Sequence, residues 1–259
     1  MKYIQSYYTD IGTKRESNQD SVTLIKANTV FGEVLLAVIC DGMGGYSEGE
    51  IASKYCVTEM NQWFKREFPE ILYNAFSWDN LRVSWNALIL KMNQKLVEYS
   101  KKKDAKVGTT LTAFLFFGDS YYAVHVGDSR GYEIGKDIIQ ITEDQTVETM
   151  LRQLRTEDLN EAQISNLKKS RRKLTESMGI TPSCKALYYS GQIKMNTFYL
   201  LCTDGFWHHL EEGDIRRYLD PTRIKDNKQM RMHLNFLVDQ MKQRGEKDNI
   251  TAIGVYPYL

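Results

Sequence analysis

The chain has 259 residues, 42% of them apolar, and a formal net charge of +1. That is enough chain to bury one large core, and the near-neutral balance gives no overall field to draw it to nucleic acid or an anionic membrane. The longest purely apolar run, VLLAVIC at 34–40, falls far short of the roughly 18 residues that a membrane helix needs.

The first residues, MKYIQSYYTD, hold no apolar leader segment. The expectation is a soluble, cytoplasmic, monomeric protein with neither nucleic acid nor membrane as a partner. The cysteines Cys40, Cys56, Cys184 and Cys202 form no C-x-x-C pair. They read as reduced, buried small residues rather than a zinc site.

In chain order, KYIQSYYT is strand-like and is followed by a turn at Asp10–Gly12 and a polar loop, KRESNQD. A short strand at Ser21–Ile25 leads to a strong one at Val34–Cys40. Ser47 with Glu50 reads as a capping box that opens a helix running to about Phe68, where Pro69 stops it. A second helix is predicted over Trp78–Lys103, with Leu81, Trp85, Leu88 and Met92 near one face. The stretch from Thr109 to Thr142 reads as a four-strand antiparallel meander, turning at Gly118-Asp119, Gly127-Asp128 and Gly135–Asp137.

Residues 145–180 are charged and helical in pattern, with a basic run, LKKSRRK, at 167–173. Strands at Lys185–Gln192 and Thr197–Cys202 follow, then helices at about Glu211–Leu219 and Asp226–Arg244, then a last strand at Ile250–Tyr256. Strands and helices do not alternate one by one, which disfavours a doubly wound parallel sheet. The predicted class is α+β, with antiparallel sheets packed face to face and helix pairs on their outer faces.

Four aspartates stand at predicted strand ends. Asp41 follows VLLAVIC, Asp204 follows FYLLCT, Asp128 follows YYAVHVG and Asp248 precedes ITAIGVY. Asp-Gly and Gly-Asp are ordinary turn dipeptides, and Asp119 and Asp137 are read as turns. Asp41 and Asp204 differ: each ends a strongly apolar run and neither continues as an obvious hairpin. Carboxylates gathered at one rim repel each other, and burial sharpens the conflict. Hard cations such as Mg²⁺ or Mn²⁺ relieve it. Two of them, about 3.5–4 Å apart, form the arrangement that activates water for in-line attack on phosphorus. Arg15 is a candidate fork for the phosphate.

These residues, together with GTKRESNQD (12–20), VICDGMGG (38–45), GTTLT (108–112), HVGDSRGY (125–132), ITED (141–144), LLCTDG (200–205) and KDNIT (247–251), resemble the metal-dependent type 2C serine/threonine protein phosphatases, the PPM family, in its bacterial branch. The likeness implies a four-layer αββα sandwich and one catalytic domain over residues 1–259, with 145–180 as a flap beside the cleft. It implies two Mn²⁺ or Mg²⁺ ions and a possible third. Asp41 would bridge the two ions, Gly42 would offer its carbonyl, Asp204 and Asp248 would ligate, and Asp20 would act mostly through water. Asp128, with Asp204, would support the third ion. Arg15 would grip substrate phosphate, and Asn249 would orient its neighbours.

The implied reaction is hydrolysis of phosphoserine or phosphothreonine by a metal-bridging hydroxide, on phosphorylated proteins and in opposition to a cognate Ser/Thr kinase. Three positions depart from the family pattern: Met43 replaces a histidine common in eukaryotic members, Gln19 replaces an acid, and Gln145 replaces a histidine. His208 and His209 are secondary candidates as proton donors. The basic run could meet acidic substrate segments or be a solvated helix face. The main rival readings are an inactive binding module on the same fold and a two-metal nuclease or phosphodiesterase; a purely structural sandwich with turn aspartates is disfavoured by the ordered motifs. The intact acids argue against the first, and the absence of a broad basic face and of His-rich ligands argues against the second.

Overall fold

The structure, a computed structural model, describes residues 1–44, 48–74, 76–153 and 169–259. Among the described residues, eleven strands form two antiparallel sheets. The first sheet orders β1 (Lys2–Asp10), β11 (Ile250–Tyr258), β10 (Phe198–Cys202), β7 (Arg130–Ile134) and β8 (Ile138–Gln140). The second orders β2 (Asp20–Thr29), β3 (Gly32–Gly44), β5 (Leu111–Phe117), β6 (Ser120–Val126) and β9 (Leu187–Gln192), with β4 (Val107–Thr109) paired to the far end of β3.

Strand β3 shows why the run at 34–40 is apolar throughout. Val34, Leu36, Val38 and Cys40 face the helices α1 (Glu48–Arg66), α2 (Phe68–Asn74) and α3 (Trp78–Lys103). The alternate residues Leu35, Ala37 and Ile39 face the other sheet. A strand covered on both faces has no solvent side on which to place polar residues. The inter-sheet layer is filled by Phe114, Phe116, Tyr121, Tyr199 and Ile253. On the outer face of the first sheet, α7 (Asn227–Gln243) lays Met230, Leu234, Leu237 and Met241, while α6 (Glu212–Tyr218) adds Ile215. The four layers are thus helices, sheet, sheet and helices, the αββα order expected from the sequence.

Three boundaries differ from the sequence reading. Pro69 does not end a helix running to Phe68; α1 ends at Arg66, and Pro69 sits in the first turn of α2, where its missing N–H has no intrahelical partner to lose. Strand β3 does not stop at Cys40. It exchanges β5 for β4 as its partner and runs on through Asp41 and Gly42. The predicted meander is two hairpins in different sheets, β5–β6 and β7–β8; the chain changes sheets between Val126 and Arg130, at Asp128. Helix α4 covers Val147–Gln153. The capping Ser47 and the start of the basic run, Leu167 and Lys168, lie outside the described residues.

Asn93, buried on α3, fastens the chain that leads into β9. Its Oδ1 accepts from the Gly179 N–H at 2.7 Å, and its Nδ2 donates to the carbonyls of Thr181 at 2.9 Å and Pro182 at 3.2 Å. Replacing Asn93 by Leu orphans the buried Gly179 N–H, at a cost of about 1–3 kcal/mol, whereas the Thr181 and Pro182 carbonyls belong to exposed residues and can turn to water. The expected loss, read from the urea midpoint, is therefore about 1–3 kcal/mol.

Candidate active site

Five acids from separate segments meet at one rim of the sandwich. Asp20 opens β2 and lies directly across from Asp41 of β3 in the strand register. Asp128 sits at the crossing between sheets. Asp204 is the first residue of α5 (Asp204–Trp207), and Asp248 precedes β11. A cleft of about 450 Å³ is walled by Arg15, Asp41, Gly42, Asp128, Asp204 and Asp248. Asp20 stands behind this wall, only 8% exposed.

The glycines of the two Asp-Gly pairs serve close approach rather than turning. A Cβ on Gly42 would fall 2.2 Å from the Gly49 carbonyl oxygen and 2.6 Å from that of Gln19. One on Gly205 would fall 2.2 Å from the Asn249 carbonyl oxygen. Neither glycine has a positive φ. Each Asp is therefore followed by the one residue type that lets a neighbouring segment pack against its backbone.

Hydroxyl groups hold the acids in place. Thr203, just past β10, and Thr251, in β11, donate to Asp20 Oδ2 at 3.0 and 2.6 Å, so a carboxylate on one sheet is bonded to the other. Thr110 Oγ1 accepts from the Asp41 N–H at 2.8 Å, and Thr109 Oγ1 donates to the Asp41 carbonyl at 2.9 Å. Sequence reasoning missed these threonines as site residues; their signal was adjacency, in GTTLT, CTDG and DNIT.

Burial and mutual repulsion raise the proton affinity of the cluster. Burial is the main cause at Asp20, which is pushed up to about 7 against the opposing hydroxyl bonds, and at Asp128, pushed up to about 8 with Asp204 adding to the rise. Asp41 is raised by burial and then by Asp20, Asp204, Asp128 and Asp248; Asp204 is raised chiefly by burial. Asp20 Oδ1 and Asp204 Oδ1 are buried with no hydrogen-bond partner among the described residues. Such orphaned oxygens, with neighbours of the same charge, fit a cation. Among the described residues no three acidic, His or Cys side chains already close on a single point. Small hard ions keep several waters and take one or two carboxylates each, so a tight side-chain cage is not required for the fit.

Arg15 forks onto Asp248, with Nε donating to Oδ1 at 2.7 Å and Nη2 to Oδ2 at 2.5 Å. The candidate phosphate fork and a candidate ligand are thus paired with each other. Asn249 ties down the loop that carries Arg15: its Nδ2 donates to the carbonyls of Ile11 at 2.8 Å and Ser17 at 3.0 Å, and its Oδ1 accepts from the Gln19 N–H at 2.8 Å. Glu246, unmarked by any motif, accepts from the backbone N–H of Asp248 at 2.9 Å. His208 lies between Asp204 and Glu246, at 3.9 and 3.7 Å, and His209 is 3.7 Å from Glu246. Met43 borders the cleft. Gln145 braces the crossing loop, exchanging two 2.8 Å bonds with Gly127. His125 bonds Thr112 and the Gly127 carbonyl; burial lowers it to about 4, so it is neutral at pH 7 and braces the same loop.

Comparison with known proteins agrees with this fold. Residues 12–248 match the protein phosphatase 2C family. The chain is 25% identical over 259 residues to the serine/threonine phosphatase stp of Listeria innocua, covering 95% of this chain and 93% of that one. Its fold superposes on the S. agalactiae serine/threonine phosphatase with a TM-score of 0.82 at 25% identity, covering 99% and 100% of the two chains. Stp1 from Staphylococcus aureus gives 0.80 at 25% identity, covering 98% and 95%. The chain belongs to the protein phosphatase 2C family, and with it to the protein serine/threonine phosphatases.

An acid whose proton affinity rises on folding keeps a proton that the unfolded chain has released, so stability falls as pH climbs from about 4 to about 8. In chelator, the protein is expected to melt higher at about pH 5.5, below both values, than at about pH 8, at the upper one. Millimolar Mn²⁺ is expected to raise the melting temperature most at the higher pH, because cation and proton compete for the same oxygens. Scanning fluorimetry across pH, with and without Mn²⁺, measures both effects.

Proposed function

We propose that this chain is a divalent-cation-dependent phosphatase acting on phosphoserine and phosphothreonine in proteins, with Mn²⁺ or Mg²⁺ held at the acidic rim. The observation that carries the reading is the crowding of Asp20, Asp41, Asp128, Asp204 and Asp248 at one end of the sandwich, with two buried carboxylate oxygens unpartnered. When bound, such ions supply Lewis-acid activation of water and neutralise phosphate charge.

The residues then divide the work. Asp41, Asp204 and Asp248, with the Gly42 carbonyl, hold a pair of ions, and Asp20 supports them from behind. Asp128 with Asp204 provides for a third. Arg15 exchanges its bond to Asp248 for the substrate phosphate, a bidentate match for a tetrahedral oxyanion. Asn249 and Glu246 keep the Arg15 loop and Asp248 in register during that exchange. Met43 has no proton to give to the departing Ser or Thr oxygen. The complete acid set weighs against an inactive binding module.

The proposal takes residues 1–259 as one catalytic domain working as a cytoplasmic monomer, with 145–180 as its flap. A Ser/Thr kinase must supply the substrate. Among the described residues no helix is long and apolar enough to cross a membrane.

The test is phosphate release from phosphothreonine and phosphotyrosine peptides with Mn²⁺, Mg²⁺ or chelator. Expected are cation-dependent turnover, preference for phosphothreonine and no activity in chelator. Asp41→Asn and Asp204→Asn are expected to lower kcat/KM on the order of 10³-fold, the equivalent of losing several kcal/mol of charge stabilisation. Arg15→Ala is expected to act mainly on KM, by roughly 10- to 100-fold. Full activity in chelator would overturn the reading.

A further inference from the structure

A second recess, of about 250 Å³, opens beside the acidic cleft and shares Asp128 and Asp204 with its wall. Four arginines reach it: Arg130 from β7, Arg152 from α4, and the consecutive pair Arg171 and Arg172. Two of the four are already matched. Arg130 Nη2 and Nε donate to Asp144 at 2.7 and 2.9 Å, with the guanidinium 3.4 Å from the centre of the Trp207 ring. Arg152 donates to Glu148 at 2.9 Å. Arg171 and Arg172 have no side-chain hydrogen bond or ion pair with any described residue. Their segment is nonetheless held, because the carbonyls of Arg171 and Lys173 accept from Glu148 N–H and Val147 N–H, each at 2.9 Å.

The other acids on the wall do not answer the free pair. Asp144 and Glu148 are taken by Arg130 and Arg152, while Asp128 and Asp204 belong to the neighbouring acidic cluster. What remains is a pocket with two uncommitted guanidinium forks, opening onto the place where a substrate phosphate would react. Planar forks of this kind select carboxylate and phosphate oxygens.

We propose that this recess binds a second anionic group of the phosphoprotein substrate, set about two residues from the phosphorylated Ser or Thr. The spacing follows from adjacency: the recess shares Asp128, Asp204 and Arg172 with the acidic cleft, so the two anions are a short stretch apart, and extended chain covers about 3.3–3.6 Å per residue. The proposal rests on the phosphatase reading and narrows it to substrates with an acidic or doubly phosphorylated segment. The chemistry is that of an oxyanion accepting from arginine, whether it comes from Glu, Asp or a second phosphoresidue.

The experiment compares phosphothreonine peptides flanked by Ala with peptides carrying Glu, or phosphoserine, two residues before or two after the phosphothreonine. Each is assayed with Mn²⁺ near physiological salt. A parallel measurement uses fluorescence polarisation with peptides that bear a non-hydrolysable phosphonate, so that binding is read without turnover. Expected is a preference of about tenfold, expressed in KM and in the dissociation constant, for the second anion on one of the two sides. Phosphoserine should exceed Glu if a second phosphate is the natural group, and Glu should equal it if a carboxylate suffices.

Arg171→Ala is expected to bring the ratio of the two peptides near one, and Arg171→Glu to invert it. Arg171 is exposed, so neither change threatens the fold. No preference on either side, or a preference that survives Arg171→Glu, would overturn the proposal. Failure to hydrolyse even the Ala-flanked peptide would count against the phosphatase reading instead, while the polarisation data would still decide for or against the recess.

Discussion

Repulsion among carboxylates drawn from five segments is the constraint that organises this molecule. Left to itself a chain keeps such groups in water, far apart. Here the apolar faces of two sheets bury enough surface to force their rims together. The tension is contained by hydroxyls: Thr203 and Thr251 donate to Asp20, Thr109 donates to the Asp41 carbonyl, and Thr110 accepts from the Asp41 N–H. A site of this kind is stable because the core is large, and poised because its charges remain incompletely answered.

Arg15 illustrates the same economy. Asp248 takes the guanidinium as its counter-ion. The pair is partly exposed, with side-chain accessibilities of 52% and 35%, so the bond contributes little to stability and is readily exchanged. A fork held loosely near its place of use loses less entropy when an anion arrives than one that swings in solvent. The Asn249 amide, bonded to three backbone groups of the same loop, is what keeps the fork near.

Much of this could be read from the sequence, for physical reasons. Apolar runs covered on both faces, such as 34–40, and amphipathic helices such as Trp78–Lys103 carry strong periodic signals, and both lie where expected. Asp41 and Asp204 stood out because their surroundings are distinctive: each carboxylate follows an apolar run and is followed by glycine. Less legible was anything set by long-range pairing. That β3 exchanges partners at Asp41, or that β6 and β7 part company at Asp128, depends on contacts between distant segments. Glu246 and the supporting threonines carry no local pattern, since their meaning comes from what lies across the sandwich. Gln145, whose effect was open from sequence, is explained by its two bonds to the Gly127 backbone.

The Asp20 bond across the sandwich has a mechanical consequence. Facing sheets sit about 10 Å apart, and the separation of their rims is the width available to the acids. Swelling of the layer formed by Phe114, Phe116 and Tyr199 would therefore open the acidic rim while every strand stayed paired. On the proposed reading, affinity for cations would then follow the spacing of the sheets.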